Sequence, residues 1–206
     1  MAESLIDFTG AEKAVAALSG VWGQVEPDEG MALWSLAQRT PRGLPIVEIG
    51  SLQGRSTCFL LMGLMAVGNY ATLYAIDVWR RRIGGEPGWS YKSGPGADNL
   101  NAFLRNTAAV GYPGQIVPVE SASAEIAKVW DRPIGLLHID GDHSLEGVRA
   151  DYEGFAKFVG PGGLLAIHDY RPGYDVLAYC DEVVKVDPTW ECMTVTGTML
   201  TARRAT

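Results

Sequence analysis

Two short runs concentrate the groups able to hold a metal or move a proton: Asp140-Gly141-Asp142-His143 and Ile167-His168-Asp169-Tyr170. Each sits at the end of an apolar stretch, residues 134–139 and 164–168. Parallel strands in an open sheet deliver the residues at their ends to one carboxyl edge, so Asp140 and Asp169 meet there although 29 positions apart. Two hard carboxylates, completed by water and substrate oxygens, suit octahedral Mg²⁺ better than a zinc site built from soft ligands. His143, beside two aspartates, is placed to act as a general base, since an imidazole changes charge near neutral pH. A supporting polar role is its competing reading. Asp142 orients His143, joins the metal, or caps the helix beginning near Ser144. His168 is expected on the opposite face, outside the chemistry.

A second group of residues points to a nucleoside-bearing cofactor. Glu48-Ile49-Gly50-Ser51-Leu52-Gln53-Gly54 begins within the first apolar strand and runs on past its end. Gly50 permits a tight turn and a close ligand approach, and Gly54 relieves crowding where the next helix begins. Free backbone N–H groups there can receive a carboxylate or phosphate. Glu48 adds a negative charge suited to the amino or sulfonium side of a zwitterionic cofactor. The run lacks the first glycine of Gly-x-Gly-x-x-Gly and the Lys-Ser/Thr of a phosphate loop, which weakens NAD and ATP readings. Asp77 ends the next strand and can accept from both hydroxyls of a ribose. Trp79 offers an adenine-stacking face or a packing aromatic. Ser121 and Ala122, after the third strand, are candidates to read the adenine edge, with a helix cap as the alternative role of Ser121.

Strands are expected at 46–49, 72–76, 115–119, 134–139 and 164–168, alternating with helices at about 55–67, 98–110, 121–130 and 145–158. Apolar strands alternating with helices make a parallel sheet between two helical layers. The tail breaks this rhythm: a helix over 174–184 precedes strands at 190–196 and 198–203, which form an antiparallel pair at the sheet edge. Helices over 8–22 and 28–38 come first, as plain cover for the core, as a cleft cover or as a homodimer surface. Residues 80–96, rich in glycine and holding Trp89 and Tyr91, are expected to close over the acceptor as a lid. The whole of 1–206 reads as one domain, with 1–40 a helical cover within it.

Over nearly its whole length the chain resembles the class I S-adenosylmethionine-dependent methyltransferases. Glu48, Gly50 and Gly54 match that family's Glu-x-Gly-x-x-x-Gly loop, Asp77 matches its ribose-binding acid, and the final strand pair matches its tail. The resemblance implies a Rossmann-like α/β sandwich on a mostly parallel seven-stranded sheet, with S-adenosyl-L-methionine as donor. The double motif resembles the metal-dependent sugar O-methyltransferases, including those of mycobacterial methylmannose polysaccharide synthesis. There Asp-x-x-His supplies a metal ligand and a base, carried here onto Asp140 and His143, and a later strand-end aspartate carries onto Asp169. The implied acceptor is a sugar or oligosaccharide hydroxyl. Catechol methyltransferases share a related arrangement, but their consecutive Asp-Asn metal pair is absent, since Tyr170 follows Asp169. A noncatalytic adenosine-ligand sensor is the alternative from outside enzymology.

A net charge of −7 disfavours nonspecific binding to nucleic acid or an anionic membrane. Arg80-Arg81-Arg82 is too short a basic run to make a phosphate track. Cys58, Cys180 and Cys192 share no close spacing, which makes a reducing compartment, the cytoplasm, the expected location.

Overall fold

The computed structural model describes residues 5–79 and 98–206. The lid expected over 80–96 lies outside them. Seven strands form one sheet in the order β3-β2-β1-β4-β5-β7-β6. They are β1 (Ile46–Ile49), β2 (Leu73–Asp77), β3 (Ile116–Glu120), β4 (Ile134–Ile139), β5 (Val159–Ile167), β6 (Trp190–Thr196) and β7 (Met199–Arg204). The first five pair in parallel, while β7 runs antiparallel to both β5 and β6. This is the Rossmann-like methyltransferase fold. Every residue of β1 and β4 is buried, as strands covered on both faces require. The sheet separates two apolar clusters, one around Phe59, Leu64 and Phe103, the other around Val148, Phe155 and Tyr179.

The helices are α1 (Glu12–Ala17), α2 (Pro27–Arg39), α3 (Arg55–Ala66), α4 (Asn99–Val110), α5 (Ser123–Ala127), α6 (Leu145–Phe155) and α7 (Asp175–Tyr179). Proline opens α2 at the first turn, where its missing N–H is no loss, and Glu26 and Glu29 close a reciprocal capping box. Leu33, Leu36 and Trp34 bury α2 against the sheet side that also takes α3. Full burial of such side chains contributes roughly 1.5–3 kcal/mol each, so α2 is packed into the core.

Four element boundaries depart from expectation. The helix foreseen over 8–22 is α1 alone: past it the Leu18 carbonyl closes a single turn with the Val21 N–H at 3.0 Å, and the carbonyls of Leu18 and Val21 also accept from the Arg55 guanidinium. The foreseen serine-capped helix from 121 starts two residues later, and its N-cap is Ala122, without a side-chain cap bond. β5 begins at Val159, five residues early, since Gly160-Pro161-Gly162-Gly163 passes through a register shift between Ile134 and Leu136 of β4. After α7 the chain widens into a π-turn over Cys180–Val184.

Candidate active site

The carboxyl ends of β1, β2 and β4 open onto a cleft of about 200 Å³, lined by Gly50, Ser51, Leu52, Asp77, Asp140 and His143 among others. Gly50 has φ +86°, and a Cβ there would lie 2.0 Å from the carbonyl oxygen of Asp140. Glycine is thus demanded by the neighbouring strand end as well as by backbone conformation. Asp77 accepts from the Leu52 N–H at 2.8 Å and the Trp79 N–H at 2.6 Å, which fixes its carboxylate at the cleft wall. Burial raises the Asp77 pKa, against the lowering by those N–H groups.

Glu48 lies beneath the turn that follows β1. It is fully buried, accepts from the Ser51 hydroxyl at 2.7 Å and from the Thr57 hydroxyl, and faces His138 Nδ1 at 3.4 Å. Its side chain ties the loop from beneath, and Glu48 is not among the described residues that line the cleft. Trp79, 7% exposed, sits in the apolar core against Phe103, with ring centroids 5.1 Å apart. Its indole N–H donates to the Leu52 carbonyl at 2.7 Å. Ser121 and Ala122 stand beside the end of β2, where the Ser121 N–H donates to the Asp77 carbonyl at 3.1 Å, outside the described lining.

Beside Gly50, where Asp140 and His143 line the cleft, the two chemical runs converge. His143 Nε2 lies 3.1 Å from Asp169 Oδ2 and 3.5 Å from Asp140 Oδ1. Tyr174 packs edge-on to the imidazole, with ring centroids 5.1 Å apart. Asp169 holds a left-handed φ of +58°, which turns its side chain back over the strand ends. Arg171 Nε approaches Asp169 Oδ1 at 2.9 Å, and its guanidinium stacks on Tyr174. Asp142 closes a local turn, accepting from the Ser144 N–H at 3.0 Å, while the N-cap of α6 is Ser144, whose hydroxyl accepts from the Gly147 N–H at 3.2 Å.

His168 contradicts its expected orientation. Its Nδ1 lies 3.2 Å from Asp140 Oδ1 and its Nε2 2.9 Å from Glu29 Oε2. The chain direction changes just after Ile167, so simple strand alternation does not extend to residue 168. Three carboxylates around the ring raise its pKa against the opposing effect of burial. Glu29, 2% exposed, also accepts from the Thr198 N–H at 2.7 Å and the Thr198 hydroxyl at 2.8 Å. Burial would raise its pKa, but His168 and the Thr198 and Glu26 N–H groups bring it down to about 2. Sequence reasoning missed Glu29 because Glu26-Pro27-Asp28-Glu29 carries only a helix-start signal.

Asp140, His143 and Asp169 each present a donor atom, all within 4.8 Å of one another. That oxygen-rich set fits a divalent cation, although His168 and Arg171 already partly balance the two carboxylates. Each engaged oxygen retains a second lone pair. The geometry adds a constraint invisible in the motif: His143 Nε2, the atom that would take a substrate proton, is also the atom that would complete a three-donor set. One nitrogen cannot do both at once.

Residues 47–170 match the model of a methyltransferase-domain family, and the chain belongs to that family. The uncharacterised protein y4gI of Sinorhizobium fredii is 26% identical over 161 residues, which make up 76% of this chain and 16% of that protein. The chain therefore spans about a sixth of the length of that curated relative. Among solved structures, a Corynebacterium glutamicum protein superposes with a TM-score of 0.66 at 17% identity, covering 97% of this chain and 89% of that one. An O-methyltransferase of Bacillus cereus, solved in complex with SAH, gives a TM-score of 0.63 at 18% identity, over 95% and 90% of the two chains.

Proposed function

We propose that this methyltransferase moves the methyl group of S-adenosylmethionine onto a sugar hydroxyl, of a mannoside or related glycoside, in the cytoplasm. His143 serves as the base, while Asp140 and Asp169 hold a divalent cation, Mg²⁺. The observation that carries this reading is the meeting of His143, Asp140 and Asp169 where His143 and Asp140 line the same cleft as Gly50 and Asp77. The acceptor oxygen attacks the methyl carbon as the carbon–sulfur bond breaks, and the bonding pair leaves with sulfur as S-adenosylhomocysteine. The hydroxyl proton passes to His143 Nε2. A bound Mg²⁺ supplies Lewis-acid polarisation of the acceptor oxygen. Asp77 meets the donor ribose, and the Gly50 turn admits the donor close to the backbone.

The cleft's composition supports a sugar over a catechol. Among the described aromatic residues near the cleft, Tyr174 lines it, whereas Trp79 is in the core and the Tyr170 hydroxyl donates to Asp181 at 2.7 Å. Among the described lining residues Tyr174 is the single aromatic face, and Gln24 and Ser56 add polar side chains. That arrangement suits a hydroxyl-rich ring better than a flat phenol held on both faces. The test is methyl transfer to a panel of glycosides beside catechols, with Mg²⁺ titrated. Glycoside turnover that requires the cation supports the reading, and efficient catechol transfer without glycoside turnover overturns it.

A further inference from the structure

We infer that Glu29, on the N-terminal helix α2, is a positioning residue that acts through His168 to hold Asp140 in its reactive orientation. The inference rests on Asp140 belonging to the reaction centre, as proposed above. Three observations carry it. Glu29 Oε2 and Asp140 Oδ1 lie on opposite nitrogens of one imidazole, at 2.9 and 3.2 Å. All three side chains are buried or nearly so, with Glu29 at 3%, His168 at 4% and Asp140 at 15% side-chain exposure, which limits the water available to replace a lost contact. Glu29 is itself fixed at both oxygens, by the Glu26 N–H on one and by Thr198 on the other.

A ring held at one nitrogen by a rigid carboxylate cannot rotate without breaking that bond, so its other nitrogen is aimed. Here it is aimed at Asp140 Oδ1, with Asp169 Oδ2 further off at 3.6 Å. The same oxygen of Asp140 is the one facing His143 Nε2. The orientation of the reacting carboxylate is thereby set from a helix 139 positions away from His168 in the chain. The capping box explains why a carboxylate at position 29 helps start α2. It does not account for the additional bond to His168.

The experiment uses the full chain with histidine ring nitrogens labelled with ¹⁵N, and compares wild type, Glu29→Gln, His168→Gln, their double variant and Thr198→Val. Thr198→Val removes one partner of Glu29 on its structural side and leaves the His168 contact intact. The expected result is that Glu29→Gln speeds hydrogen exchange at His168 Nδ1 about tenfold or more, while the Kd for S-adenosylhomocysteine stays within about threefold. With methyl α-mannoside as acceptor, kcat falls about 10–100-fold, the size typical of lost outer supports, with donor KM unchanged. The double variant loses no more than His168→Gln alone, and Thr198→Val lowers stability without changing the exchange. Unchanged Nδ1 exchange in folded Glu29→Gln, additive losses in the double variant, or losses that simply track stability across the set would overturn the proposal. If Glu29→Gln does not fold, the same measurements on Glu29→Asp decide. If wild type does not methylate the mannoside, the functional reading fails separately, and the exchange data still decide whether Glu29 controls the contact to Asp140.

Discussion

His143 shows how one atom can separate two mechanisms. Its Nε2 faces both carboxylates, so removal of the ring tests proton transfer against metal ligation. As a base, His143→Ala should keep donor and cation affinity and lose about 10²–10⁴-fold in single-turnover rate. A comparable fall in cation affinity, measured by calorimetry, would make the ring a ligand instead. Asp151, whose carboxylate lies beside Gly141, carries a pH-dependent prediction. It is 2% exposed, accepts from the Ser123 hydroxyl at 2.5 Å, and burial pushes its pKa from 3.8 up to about 6. The folded protein then binds this proton more tightly than the unfolded chain. The resulting stability is full below about pH 4 and is lost as pH rises through about 6, by roughly 3 kcal/mol in all. Asp151→Asn should therefore match wild type near pH 4 and exceed it at pH 8 in urea unfolding, whereas parallel profiles would refute the assignment. At this scale the sequence made Asp140, His143 and Asp169 legible because each is at or just beyond an apolar strand. Glu29 was not legible, since its meaning depends on a partner 139 positions away.

Among the elements, the strands that carry the site were readable because continuous apolar runs mark β1 and β4, buried on both faces. The misread boundaries lie where a distant group also donates to backbone carbonyls, as Arg55 does at Leu18 and Val21, or where glycine and proline conceal a strand, as at the start of β5. The turn after β1 tests how strictly two elements constrain each other. Gly50 and Gly68 both have positive φ, at +86° and +59°, but a Cβ at Gly68 meets nothing within 4 Å, while one at Gly50 would strike Asp140. Gly68→Ala isolates the backbone effect, about 1–2 kcal/mol, and should leave S-adenosylhomocysteine binding unchanged. Gly50→Ala should lose more stability than that and weaken binding too, because it forces the β1 turn away from the β4 end. Equal thermal shifts and equal affinities in the two variants would show that this close approach does not shape the cleft.

Across the whole molecule, the N-terminal segment is tied to the site through direct helix–helix contact. A Cβ at Gly63 in α3 would lie 2.2 Å from the Trp34 carbonyl in α2, and one at Gly30 in α2 would lie 2.4 Å from the Phe59 ring. The two helices therefore approach so closely that neither position has room for a methyl group. Glu29 is the residue next to Gly30, so the depth at which α2 seats on α3 also sets how far its carboxylate reaches toward His168. Gly63→Ala opposes two known effects. Alanine in a helix interior gains about 1 kcal/mol over glycine, whereas overpacking a close contact costs about 1–3 kcal/mol. The atom in the way is backbone rather than the end of a flexible side chain, so the packing loss should win and the melting temperature should fall. Because the strain displaces α2, turnover should fall with it, while Asp77 keeps its backbone bonds and donor affinity is retained. A stabilised Gly63→Ala protein with full turnover would mean that α2 can move outward freely, and that its seating on α3 has no bearing on the reaction centre.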